Sequence, residues 1–242
     1  MRERWLVLLA MFSLLHASCA SLGQESVAPR DKQAAAASEA ADLVEWNLQL
    51  STYGGKQFWT DVEICEDCRI QCNVVTGHHR LLDDHDVRQT WGTLPKCQAK
   101  FTEIKRERSM VAPRGKVVIV LHGLLRSREQ LQGLSNYLEQ EGHYTVLNFG
   151  YASSRSEVGE HAAALASVVE GCRDADEISF VAHSLGNIVV RHYLADCTLD
   201  GKKLDPRIHR VVMLGPPNNG AELANRFRNN PLFQLVWGRS GK

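Results

Sequence analysis

From Lys116 onward the chain alternates, without a break, between short apolar runs and longer amphipathic stretches. KVVIVLHG, YTVLNFGY, EISFVAH and HRVVMLGPP are the apolar runs, dominated by Val, Ile, Leu and Phe. Between them lie SREQLQGLSNYLEQEG, SEVGEHAAALASVVEGC and LGNIVVRHYLADC, whose apolar residues recur at helical spacing. Strands that are apolar along their whole length are buried on both faces, and helical crossovers between them make neighbouring strands parallel. The pattern therefore predicts an α/β fold, a doubly wound and mainly parallel sheet, beginning after the punctuation Ala112–Gly115.

The preceding segment, 46–112, reads as a smaller α+β extension that packs on the alternating region. KQFWTDVEI and CRIQCNVVT alternate as two strands of a hairpin closed around CED. LDDHDVRQTWG reads as a helix opening on Asp residues, and LPKCQAKFTEIKRER as a second helix with Pro95 in its first turn. Residues 21–45, rich in Ala, Ser and charge, read as a linker.

Residues 1–20 begin with two arginines, continue as an apolar run from Trp5 to Leu15, and end on small residues with a cleavage position after Ala20. That is the layout of a secretory signal. The run falls well short of the ~20 residues needed to span a bilayer, so an exported protein without a transmembrane span is expected. Acylation at Cys19 is the less favoured alternative, because His16 stands where a lipoprotein signal has an aliphatic residue. Export would leave Cys65, Cys68, Cys72, Cys97, Cys172 and Cys197, an even set that favours disulfides and leaves their pairing open. Zinc held by Cys65, Cys68, Cys72, His78 and His79 is a weaker reading of the same residues, and no metal is expected.

Twenty-eight basic residues balance twenty-eight acidic ones, so no long-range field attracts nucleic acid. GLLRSREQ after the first apolar run has neither the Gly spacing of a dinucleotide site nor a P-loop. No cofactor is expected.

The chemistry concentrates in FVAHSLGN. Ser184 stands where a strand turns directly into a helix, at the carboxyl edge where open α/β sheets collect reactive groups. Ala182 and Gly186, two residues before and two after, let helix and strand approach closely. The helix start supplies the Leu185 amide to an anion at Ser184, and the strand ending in His122 and Gly123 supplies the Leu124 amide. His183 shapes the entrance. Arg126, Ser127 and Arg128 read as a helix start in preference to a contact for an acidic substrate group.

VVIVLHGLL, FVAHSLGN and VVMLGPPNNG, in that order, resemble the α/β-hydrolase superfamily, within it the bacterial lipases and esterases. The resemblance covers about 113–230 and departs from the usual motif at Ala182, where a glycine is more common. It implies Ser184 as acyl nucleophile, Leu124 and Leu185 as the oxyanion hole, and His122, Gly123, His183 and Gly186 in support. A small-molecule or lipid ester would be the substrate.

A serine needs a base within hydrogen-bond reach and a third group to orient it. His192 lies about 12 Å along the helix at about 1.5 Å per residue, and His209 precedes the fourth strand at its amino end. Asp196, Asp200, Asp205 and Glu222 are no better placed. The resemblance thus implies a core over 113–242 that is incomplete, truncated before the strands that would carry acid and base. A non-catalytic α/β-hydrolase-like binding module is the alternative.

Overall fold

A computed structural model describes residues 56–199 and 203–218 of the 242-residue chain. The signal and linker expectations, together with Cys19, Asp200 and Glu222, lie outside the described residues. Those described belong to one compact unit that begins at Asn47.

The parallel sheet contains β5 (Arg114–Leu121), β6 (Thr145–Phe149), β7 (Asp174–His183) and β8 (Ile208–Leu214), in spatial order β6-β5-β7-β8 with every pair parallel. Helices α2 (Gln132–Gln140), α3 (Val158–Gly171) and α4 (Leu185–Thr198) make the crossovers. Side chains alternate across the pleat. Val118, Val120 and Val181 meet Leu134 and Leu138 of α2 on one face. Val117, Ile119, Leu121, Phe149, Ile178 and Phe180 meet Leu165, Val169, Val189 and Val190 of α3 and α4 on the other. Helices thus cover both faces, as the uninterrupted apolar strands require.

The side on which successive strands are added switches at β5. The connection from β5 leaves toward β6 on one side, whereas β7 lies on the other side of β5. Leu121 is in register with both Phe149 and Ala182, so three strands end at one level. The residues that come after them share a single sheet edge, the crevice where sheets of this topology place ligands.

The extension is an antiparallel meander, β1 (Trp59–Cys65), β2 (Cys68–Asn73), β3 (His79–Leu82) and β4 (Arg88–Gly92), followed by α1 (Leu94–Glu107). The β1–β2 hairpin and α1 agree with the sequence reading. LDDHDVRQTWG does not: it is the β3–β4 hairpin rather than a helix. Asp83 Oδ1 accepts hydrogen bonds from the His85 and Val87 amides (2.9 Å each), and Asp86 takes φ 58°. Asp side chains that bond the backbone two residues on close turns as readily as they start helices.

β1 joins the two layers. Asp61 is fully buried and accepts hydrogen bonds from Arg69 Nη1 (3.0 Å), Gln71 Nε2 (2.7 Å) and the Gly150 amide (2.7 Å). Its own amide donates to Gly150 O at 2.8 Å. A buried carboxylate is tolerated where it is paired and hydrogen-bonded, as Asp61 is by the Arg69 guanidinium and two further donors.

All six described cysteines are free thiols. Cys65, Cys68 and Cys97 sit in the apolar cluster between the meander and α1, while Cys172 belongs to the core of the parallel sheet. The expected disulfides are not formed in this structure, and no helix among the described residues is long and apolar enough to cross a membrane.

Candidate active site

β7 passes into α4 with one residue between them, and that residue is Ser184. Its backbone sits at φ 51°, ψ −114°, a region L-residues avoid and which costs on the order of 1–3 kcal/mol. The surroundings hold it there. Ser184 N donates to Leu214 O (3.0 Å), and the buried Asn187 side chain donates from Nδ2 to Ser184 O (3.1 Å) and Leu214 O (3.2 Å). The end of β8 and the first turn of α4 thus fix the bend from two sides.

The bend also depends on Gly186. A Cβ there would stand 2.9 Å from Leu121 Cβ and 3.0 Å from the Leu121 and His122 carbonyl oxygens. No side chain fits, so α4 starts in direct contact with the end of β5. Its amino-terminal amides face the sheet edge, with Leu185 N–H the first of them.

On β5 the next residues are His122 and Gly123. A Cβ on Gly123 would lie 2.8 Å from His183 Nδ1 and 3.3 Å from Ser184 Cβ, so the β5 loop rests directly on the serine bend. His122 is 1% exposed. Its Nδ1 lies 2.9 Å from Gly123 O, and the Tyr151 amide donates to Nε2 at 3.3 Å. With Nε2 accepting, the proton is assigned to Nδ1, which donates to Gly123 O. Burial pulls the imidazole pKa down to about 4, so the ring is neutral at ordinary pH.

Three amides of this loop have acceptors. Gly123 N donates to Gln130 Oε1 (3.3 Å), Leu125 N to Ser153 Oγ (3.0 Å) and Arg126 N to Gly123 O (3.3 Å). Leu124 N–H makes no hydrogen bond among the described residues. It shares a peptide plane with Gly123 O, which is held by His122 Nδ1 on one side and by the Arg126 amide on the other. Ser184, Gly186, His183, Gly123, Leu185, Leu124 and His122 thus lie together at one sheet edge.

Sequence reasoning missed the segment that supports them. Gly150, Tyr151, Ala152 and Ser153 come directly after β6 at the same sheet edge. Tyr151 Oη donates to His122 O (2.6 Å), and its ring stacks on the His122 ring, centroids 4.3 Å apart. The available signal was position: GYASS immediately succeeds an apolar run at the carboxyl edge. His161, on the Ala-rich helix α3, completes the support behind Tyr151. It is fully buried, edge-on to Tyr151 at 4.8 Å, and burial pulls its pKa down to about 4.

No histidine after Ser184 among the described residues approaches it. His192 Nδ1 pairs with Asp196 at 3.0 Å on a half-exposed part of α4. His209 lies at the amino end of β8, with Nδ1 3.8 Å from Glu177, and Asp205 is engaged by Arg207. Arg128 begins a short 3-10 helix and pairs with Asp86, in keeping with a helix start. Among the described residues no three His, Cys, Asp or Glu side chains converge as metal ligands.

A family profile described as a domain of unknown function, DUF7379, matches residues 79–238, about two thirds of the chain. The chain belongs to the DUF7379 family. The matched stretch begins at β3, so the DUF7379 domain takes in the second half of the meander as well as the parallel sheet and the serine bend. No curated protein matches the chain.

Proposed function

We propose that this DUF7379 protein is a serine hydrolase of carboxylic esters, with Ser184 as the acyl nucleophile. The observation that carries the reading is the Ser184 backbone, φ 51° and ψ −114°, held between β7 and α4 against Gly123. Strain of this kind persists only where the surroundings enforce it, and it presents a side chain that a relaxed turn would fold back. The resemblance of FVAHSLGN, VVIVLHGLL and VVMLGPPNNG to the bacterial lipases and esterases supports the same assignment.

In this mechanism Ser184 Oγ bonds to the ester carbonyl carbon and its proton passes to a base, a role that neither His192 nor His209 is placed to fill. The carbonyl oxygen becomes an oxyanion that accepts hydrogen bonds from the Leu124 and Leu185 amides, a contribution on the order of 3 kcal/mol per donor. Collapse breaks the bond to the alcohol, which leaves with a proton and an acyl-serine remains. Water then attacks that ester and frees the acid. The substrate is a small-molecule or lipid ester, and export would place the reaction in the cell envelope or outside it.

A second reading, a non-catalytic binding module on the same fold, draws on the His192–Asp196 pair, which lies along α4 instead of at Ser184. Turnover of short p-nitrophenyl esters by the full chain, compared with Ser184→Ala, separates the two. Turnover lost in the variant supports hydrolysis; equal rates from both proteins would overturn it.

A further inference from the structure

We propose that Tyr151 is a positioning residue for the Leu124 amide, and that β1 of the meander acts on the serine site through it. Tyr151 reaches His122 in three ways: its amide donates to Nε2, its hydroxyl donates to the main-chain oxygen, and its ring stacks on the imidazole. The first bond leaves the His122 proton on Nδ1, where it donates to Gly123 O. In a trans peptide the C=O and N–H point in opposite directions. Holding Gly123 O therefore aims Leu124 N–H. Ser153, two residues beyond Tyr151, takes the next amide, Leu125 N, on its hydroxyl.

Tyr151 is in turn held by β1 on both sides. Gly150 exchanges two hydrogen bonds with Asp61, and the Ala152 amide donates to Thr60 Oγ1 (3.1 Å). Asp61, Thr60, Tyr151, Ala152 and His122 are all buried, and burial pushes the Tyr151 phenol far above its ordinary pKa, so the hydroxyl stays a donor. Six hydrogen bonds, joined by the covalent run 150–152 and by the Gly123–Leu124 peptide, lead from Thr60 and Asp61 to Leu124. The antiparallel layer, whose sequence carries no motif of its own, thereby sets the loop that faces Ser184.

The inference rests on the ester-hydrolase reading for its kinetic consequence only. Tyr151→Phe keeps the stacked ring and removes the hydroxyl bond; Thr60→Val keeps the volume and releases Ala152. Ile178→Val, in the same core cluster, serves as a control for lost stability alone. Full-length proteins are compared by the rate at which a fluorophosphonate probe labels Ser184, and by the amide NMR resonances of Leu124 and Leu185. Labelling should slow about 10- to 100-fold in both loop variants, the range for a misplacement of about 1 Å. The control labels at the wild-type rate. Labelling of Tyr151→Phe at the wild-type rate would overturn the proposal. Should the wild-type protein not label, the hydrolase reading fails by itself, and the resonances decide: a displaced Leu124 amide with Leu185 unmoved supports the positioning role, and an unmoved Leu124 refutes it.

Discussion

Gly186 and Leu121 approach so closely that a single methyl group added to the glycine would stand 2.9 Å from Leu121 Cβ. The neighbours on the other side are backbone carbonyl oxygens, which cannot swing away. Gly186→Ala should therefore push α4 off the end of β5 and destabilise the protein by about 1–3 kcal/mol. At this chain length the thermal midpoint falls by about 2–12 °C, measurable by calorimetry or circular dichroism.

Strain at Ser184 gives an opposite expectation for another substitution. Alanine keeps the φ 51° penalty, whereas glycine adopts that conformation freely at the cost of some unfolded-state entropy. Ser184→Gly should be more stable than Ser184→Ala by about 1 kcal/mol. Denaturant midpoints of the two variants check the difference, and an Ala variant as stable as Gly would mean that the bend is unstrained.

Two buried histidines set an acid limit. His122 and His161 have pKa values pulled by burial to about 4, against about 6.5 when unfolded. Between those values the unfolded chain binds more protons than the folded one, so stability rises with pH. Their contribution is retained above pH 6.5 and lost as the pH falls toward 4, on the order of 3 kcal/mol for each ring at full extent. Glu129 works in a lower window. Burial alone would raise its pKa, but hydrogen bonds from Lys56, Ser127 and the backbone, with the Lys56 charge, together outweigh that and hold it to about 2, so its contribution disappears between about pH 4.5 and 2. Unfolding midpoints measured from about pH 7.5 to about pH 3.5 should fall most steeply in the upper window.

Cys97 and Cys172 are fully buried, and burial pushes both thiols up to about 11. Cys65 and Cys68 are almost as enclosed, while Cys72 and Cys197 are half-buried. A thiol reagent at about pH 8 should modify Cys72 and Cys197 in the native protein and the other four only after unfolding. Mass spectrometry of the alkylated protein reads the order.

Legibility in the sequence tracks the strength of its local signals. The four parallel strands could be read because each is apolar along its length, and Ser184 because a strand, a small residue, a serine and a glycine leave few other ways to turn. The β3–β4 hairpin was misread because Asp83 and Asp86 shape a turn there, and Asp residues carry the same signal at a helix start. Tyr151 and Asp61 were silent for a different reason. Their roles come from contacts between residues 29 and 89 positions apart, as in the Tyr151–His122 and Asp61–Gly150 bonds, and no periodicity records such pairs.

The central claim, that Ser184 is a nucleophile presented by a strained bend, is tested most directly by covalent capture. A fluorophosphonate forms a bond from Ser184 Oγ to phosphorus as fluoride leaves, and the hydroxyl proton is lost. The full chain should gain one probe mass, mapped by peptide mass spectrometry to the fragment containing Ser184 and absent from Ser184→Ala. An unlabelled folded protein, or a label on any other residue that persists in Ser184→Ala, would contradict it.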